Sequence, residues 1–169
     1  MADPKKRQVF KKGHHRKFLV VIDDSPEFEQ ALYFAARVAN RTGGRLAMLY
    51  VNQPMQAGRW LSFEVSQPVE TEGQADAAFE DIREHLVELG FDTLKTEAIV
   101  RSGDPAEEIV KVIERDEDIA ILVLGAGTSS EGPGPLVSSL AMGSRAGRFP
   151  IPIYIVPGTL THDEIAALA

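Results

Sequence analysis

No cysteine occurs in the 169 residues, which excludes disulfides, thiolate metal sites and cysteine nucleophiles. Long hydrophobic runs are also missing. The most apolar stretch, "IAILVLGAG" from Ile119 to Gly127, is far too short to cross a bilayer. "FLVVI" follows a basic N-terminus, but Asp23 interrupts it before it can serve as a signal-peptide core. Tryptophan appears once, as Trp60. No nucleophile–histidine–acid set and no cluster with metal-ligand spacing can be assembled from the chain. A cytoplasmic protein without catalytic or metal chemistry is therefore expected.

Charge is divided unevenly along the chain. Residues 1–17 hold seven Lys/Arg against Asp3 alone, a balance of +6. Since the whole chain carries −7, the remainder carries −13. An acidic body argues against a nucleic-acid-binding domain, and no DNA partner is expected. The basic segment, residues 1–16, reads as a flexible arm that leaves contact with RNA, an anionic lipid surface or an acidic partner open.

Hydrophobic patterning orders the rest. "KFLVVID" is a continuous, β-branched run of the kind found in strands buried on both faces. A helix follows, with Ser25 or Asp24 as cap, Pro26 in its first turn and Gly43 as terminator. Phe28, Ala31, Leu32, Ala35, Val38 and Ala39 give it one apolar face. "RLAMLYV" is the second strand. After the irregular Asn52–Glu70 stretch, Thr71 and Gln74 make a capping-box pattern for a helix with Phe79, Ile82, Leu86 and Leu89 inward. "LKTEAIV" alternates polar and apolar residues and is predicted at a sheet edge. Asp104, Pro105 and Glu107 open the next helix. "IAILVLG" is predicted as a central strand, Leu136–Phe149 as a helix despite Gly143 and Gly147, and "IPIYIVP" as the last strand. Thr161 with Glu164 caps a short helical tail over residues 159–169. Strands alternating with helices predict an α/β fold: one domain, residues 17–158, with a five-stranded open parallel sheet covered on both faces. Ligands of such sheets bind beyond the carboxyl ends of the strands.

Asp23-Asp24 after the first strand invites comparison with phosphorelay receiver domains. The third strand ends in "IVRSGD" without an acceptor aspartate, and "IVPG" after the fifth lacks the lysine, so that reading fails. The order of three other segments carries a better match. "FLVVIDDSPEFEQALYFAARVANRTGGRLAMLYV", "VRSGDPAEEIVKVIERDEDIAILVLG" and "PIYIV" together resemble the universal stress protein (UspA-like) family from Lys17 to Pro157. The resemblance implies a Rossmann-like fold of the adenine nucleotide alpha hydrolase type, with strand order 3-2-1-4-5. It also implies a homodimer paired through the terminal strands.

Members of that family that bind ATP use a loop of pattern Gly, two residues, Gly, nine residues, Gly, then Ser or Thr. Glycines let backbone amides approach phosphates, and the hydroxyl adds a donor. With the first glycine at Gly125, the second position is Thr128, the third is Ser138, and Ser139 takes the hydroxyl position. Gly127, Gly132 and Gly134 are nearby substitutes, while Pro133 and Pro135 lack amide donors. "LVSSLA" is similar to the branch with an incomplete motif that does not bind ATP. The resemblance places Asp23 at the nucleoside contact and Val51 at the adenine contact; Asp23 reads equally as a helix cap, and Ser138 and Ser139 as helix-start residues. No cofactor is expected, and ATP is the one ligand the location would take. The function implied is a stress-response protein acting on an unknown protein partner. A nucleotide-responsive switch and a basic-arm adaptor remain as alternatives. Trp60 and Phe63 lie where a lid or contact loop would sit, or else pack on their own domain.

Overall fold

The structure, a computed structural model, describes residues 6–53 and 71–169. Trp60, Phe63 and the rest of the long connection after the second strand lie outside the described residues. The elements run β1 (Lys17–Ile22), α1 (Phe28–Thr42), β2 (Arg45–Asn52), α2 (Thr71–Glu88), β3 (Thr96–Ser102), α3 (Pro105–Arg115), β4 (Ile119–Ala126), β5 (Ile153–Pro157) and α4 (His162–Leu168). All strand pairs are parallel, and the order is β3-β2-β1-β4-β5. The α/β fold and strand order predicted above are those observed.

Period-two alternation divides the apolar residues between two layers. Phe18, Val20, Leu46, Met48, Ile121 and Val123 face α1, α2 and α4. Leu19, Val21, Ala47, Leu49, Leu122 and Leu124 face α3 and the segment after β4. β3 and β5 are the edges, as their composition predicted for "LKTEAIV". The tail is not an appendage of the body: Ile165 of α4 is fully buried in the first layer.

Helix boundaries follow local chemistry, with two corrections. Asp104 accepts a hydrogen bond from the Glu107 amide at 3.0 Å, and Pro105 opens α3. Thr161 and Glu164 form a reciprocal capping box on α4. Gly43 ends α1 with φ +68°. The start of α1 differs from expectation. Neither Ser25 nor Asp24 caps it, because the Ser25 amide and hydroxyl both donate to Asp23 Oδ1, which closes a turn ahead of the helix. Glu27 takes the cap position without a side-chain hydrogen bond. The second correction concerns Leu136–Phe149, which is not one helix. A π-helical turn spans Val137–Ala141 and a 3-10 turn spans Ala146–Arg148. Gly143 and Gly147 disfavour continuous helix there, and Pro150 follows the second turn. The Thr71–Gln74 pattern lies at the edge of the described residues; Thr71 is already helical.

Two sets of polar contacts tie outer elements to this core. Arg7 donates to the carbonyls of Ile113 (2.8 Å) and Asp116 (2.7 Å), and His14 Nδ1 lies 2.6 Å from Asp118. On the other layer Glu29 of α1 meets His85 of α2 at 2.8 Å and His162 of α4 at 3.0 Å. His162 also stacks on Tyr33, with ring centroids 4.1 Å apart. The hydrogen bond to Glu29 raises the His85 pKa above its ordinary 6.5, against a smaller opposing effect of burial, and Glu88 at 3.6 Å adds to it.

Asp104→Ala should lower stability by about 1 kcal/mol, the usual loss for an N-cap carboxylate, read as a shift in denaturant midpoint. The Glu29 clasp gives a pH signature. Since the folded His85 value lies above 6.5, the stabilisation is complete below that pH and fades as pH rises through the folded value. Both partners are more than a third exposed, so the effect is about 0.5 kcal/mol after solvent screening. Glu29→Gln should remove it; an unchanged pH dependence of thermal unfolding in that variant would exclude the clasp as its source.

Candidate functional site

In the order β3-β2-β1-β4-β5 the chain reverses direction between β1 and β4, and the carboxyl ends of these two strands form the natural ligand crevice. Asp23 follows β1 and Gly125 lies near the end of β4. The crevice is crowded from within. A Cβ on Gly125 would overlap the carbonyl oxygen of Glu27, so only glycine lets the first turn of α1 rest on β4. Gly158, after β5, faces the Glu27 Cβ in the same way, at 3.0 Å from where its own Cβ would stand. The Glu27 carboxylate then reaches along the loop: Oε1 lies 3.1 Å and 3.8 Å from the corresponding points on Gly127 and Gly134. Glycines at these positions accommodate a glutamate.

The loop's own backbone is folded inward. The Gly127 amide donates to Pro133 O at 2.9 Å, the Gly132 amide to Ser129 O at 3.2 Å, and the Ser138 amide to Gly134 O at 3.0 Å. Gly132 and Gly134 carry φ of +109° and +106°, which the tight turn between the two prolines requires. Three amides that a phosphate site would aim outward are thus already bonded. Thr128, where the family pattern has glycine, turns its methyl toward the Gly158 turn.

Of the predicted site residues, the structure gathers some and separates others. Asp23, Val51 and Ser139 line one cleft of about 380 Å³, together with Gln53, Asp104 and Pro135. Thr128, Gly127 and Ser138 line a second, open recess of about 460 Å³ with Glu27 and Glu131. Pro135 lines both and stands between them. Gly125 belongs to neither; it borders a narrow cavity of about 30 Å³, room for one water, with Asp23 and Glu27. Ser138 and Ser139 are both exposed on the π-helical turn, pointing to opposite recesses.

Electrostatics oppose an anion at either place. The ionisable groups lining the first cleft are Asp23 and Asp104, and those lining the second are Glu27 and Glu131. No lysine, arginine or histidine lines either one among the described residues. A polyphosphate there would meet carboxylates without a compensating cation. Nothing in the sequence marks Glu27: "SPEFEQ" reads as an ordinary acidic first turn, and its reach under the loop arises only when β4 and β5 come alongside. Among the described residues no group of three could hold a metal ion, and no helix is long and apolar enough to cross a membrane.

Comparison with known proteins agrees with the fold. The fold is shared with the universal stress protein UspA from Lactobacillus plantarum, at 18% identity and a TM-score of 0.57, covering 84% of this chain and 97% of that one. A universal stress family protein from Burkholderia pseudomallei matches with 18% identity and a TM-score of 0.57, covering 85% and 96%. A universal stress protein in complex with cAMP matches at 14% identity and 0.57, covering 86% and 98%. No curated protein matches the chain. The universal stress protein family model matches residues 14–157, nearly the whole folded body, and the chain therefore belongs to that family.

Proposed function

We propose that this universal stress protein acts in the cytoplasm as a homodimer through contact with a protein partner, with weak or no ATP binding and without turnover. The reading is carried by the loop after β4, whose Gly127 amide is spent on Pro133 while the Glu27 carboxylate fills the space beside it. Each charge-assisted amide contact withheld from a phosphate weakens binding by about 1.5–3 kcal/mol. Two or three such losses move a micromolar ligand to roughly millimolar or beyond.

The dimer surface proposed is β5. It is an edge strand, and Tyr154 and Ile155 are 38% and 43% exposed on it. An edge of this kind needs cover, and a second copy of the same strand about a two-fold axis supplies it. Ile153 of the same strand packs against the core layer, so Ile155 is the cleaner position to alter.

A nucleotide-responsive switch is the alternative. It draws on the cleft of Asp23 and Val51, whose apolar wall includes Val21 and Ala106, and on the relative in complex with cAMP. Mass spectrometry of the denatured protein for co-purified nucleotide separates the two readings.

Calorimetry with magnesium-ATP should give a constant no tighter than roughly millimolar. Glu27→Gln removes the charge but leaves the Gly127–Pro133 bond, so it should improve affinity by less than about tenfold. A micromolar constant for the unaltered chain would overturn the proposal. Ile155→Glu should convert the dimer to a monomer in light scattering at micromolar concentration, with an unchanged circular dichroism spectrum. A mass that does not change would exclude β5 as the interface.

A further inference from the structure

At the amino end of the sheet, near the Lys17–Asp116 and His14–Asp118 contacts, one cleft has a lining of opposite character. There, three segments converge: the end of the arm at His15, the start of β2 at Arg45, and the connection before β3 at Lys95. They line a cleft of about 240 Å³ to which Asn40 and Thr93 add an amide and a hydroxyl, and no carboxylate is among its lining residues.

Backbone hydrogen bonds fix this frame. The Arg45 amide donates to Arg16 O at 2.8 Å, and the Leu46 amide donates to Lys95 O at 3.0 Å. Gly44 allows the first of these contacts, because a Cβ there would come within 2.8 Å of Arg16 O. His14, beside His15, is anchored on Asp118. His15, Arg45 and Lys95 are thus held by their backbones around one concavity.

The chain has 25 Asp and Glu against 18 Lys and Arg, so carboxylate partners are in surplus. Even so, neither Arg45 nor Lys95 is ion-paired among the described residues, and His15 is in no salt bridge there. Arg41, in the last turn of α1, donates to Ala169 O and does not line this cleft. Two unpaired cations and an imidazole about a concavity are an arrangement that an anion completes.

We propose that this cleft binds a small phosphorylated compound, with two phosphoryl groups or a phosphate ester, at the end of the sheet opposite the family's nucleotide position. Arg45 supplies a planar fork matched to two phosphate oxygens, while Lys95 and His15 add donors from either side. The volume lies below that of pockets for drug-sized ligands, which selects a compact anion over a whole dinucleotide.

The probe is inorganic pyrophosphate, titrated into the full chain labelled with nitrogen-15. Amide signals of Gly43, Gly44, Arg45 and Lys95 should shift together and saturate in the millimolar range or below. Arg45→Gln with Lys95→Gln should weaken binding by about tenfold or more, while Asp23→Asn leaves it unchanged. If the double variant does not fold, His15→Gln, on an exposed side chain, should still weaken it measurably. Shifts spread evenly over all basic residues of the arm, or saturation unaffected by these variants, would overturn the proposal. Localised shifts around Gly125–Ser139 instead would overturn it and also contradict the weak phosphate binding proposed for that loop, so the two failures are distinguishable.

Discussion

The contact of Glu27 with the end of β4 is the constraint on which the site depends. The first turn of α1 sits so close to Gly125 that no side chain fits between them. That approach sets where α1 begins, and it explains why Ser25 closes a turn with Asp23 and does not cap the helix. It also projects the Glu27 carboxylate under the loop that follows β4, beside Gly127 and Gly134. The loop then closes on itself, with Gly127 bonded to Pro133. A glycine-rich loop is usually read as bare backbone kept for a phosphate. Here the same glycines serve the packing of a helix start and its first acid.

The clefts at the two ends of the sheet differ in the charge of their linings. Asp23, Glu27, Asp104 and Glu131 line the recesses at the carboxyl end, whereas His15, Arg45 and Lys95 line the cleft at the amino end, where Asp116 and Asp118 stand paired with Lys17 and His14. The split follows partly from the basic arm, which enters β1 at that end and leaves its charges there. It follows also from the helix caps, because Asp104 stands at the amino terminus of α3, beside the carboxyl ends of the strands. Parallel α/β folds place every helix start at that end of the sheet. Capping chemistry alone therefore biases it toward carboxylates.

The fold was legible because its signals are local and mutually consistent. Continuous apolar runs marked β1, β2 and β4, and the mixed pattern of "LKTEAIV" marked an edge strand. Asp104 and Thr161 capped the helices their neighbours announced. The failures share a cause. Residues 136–149 hold enough apolar spacing to suggest a helix, but Gly143 and the Val137–Ala141 π-helical turn answer to the packing of Val137 and Leu140 on the sheet. The clasp of Glu29 with His85 and His162 joins residues far apart in the chain, and His85 read alone is a surface residue. Arg7 likewise finds the α3 carbonyls only in three dimensions.

Legibility of the site divides along the same line. The resemblance put Asp23 and Val51 at the nucleoside and adenine contacts and Ser139 in the phosphate loop; in the structure all three line one cleft. It put Gly125, Thr128, Ser138 and Ser139 in one loop; Thr128 and Ser138 line one recess, Ser139 lies across Pro135 from them, and Gly125 is under Glu27. A motif records which backbone positions tolerate a side chain, and that tolerance can serve a ligand or a neighbouring segment equally well. What distinguishes the two is where the amides point. At Gly127 and Ser138 they point into the protein's own carbonyls, so these two amides are bonded before any ligand arrives. An anion would have to break those bonds, displace a carboxylate and bring its own countercharge. The opposite end of the sheet imposes none of these demands.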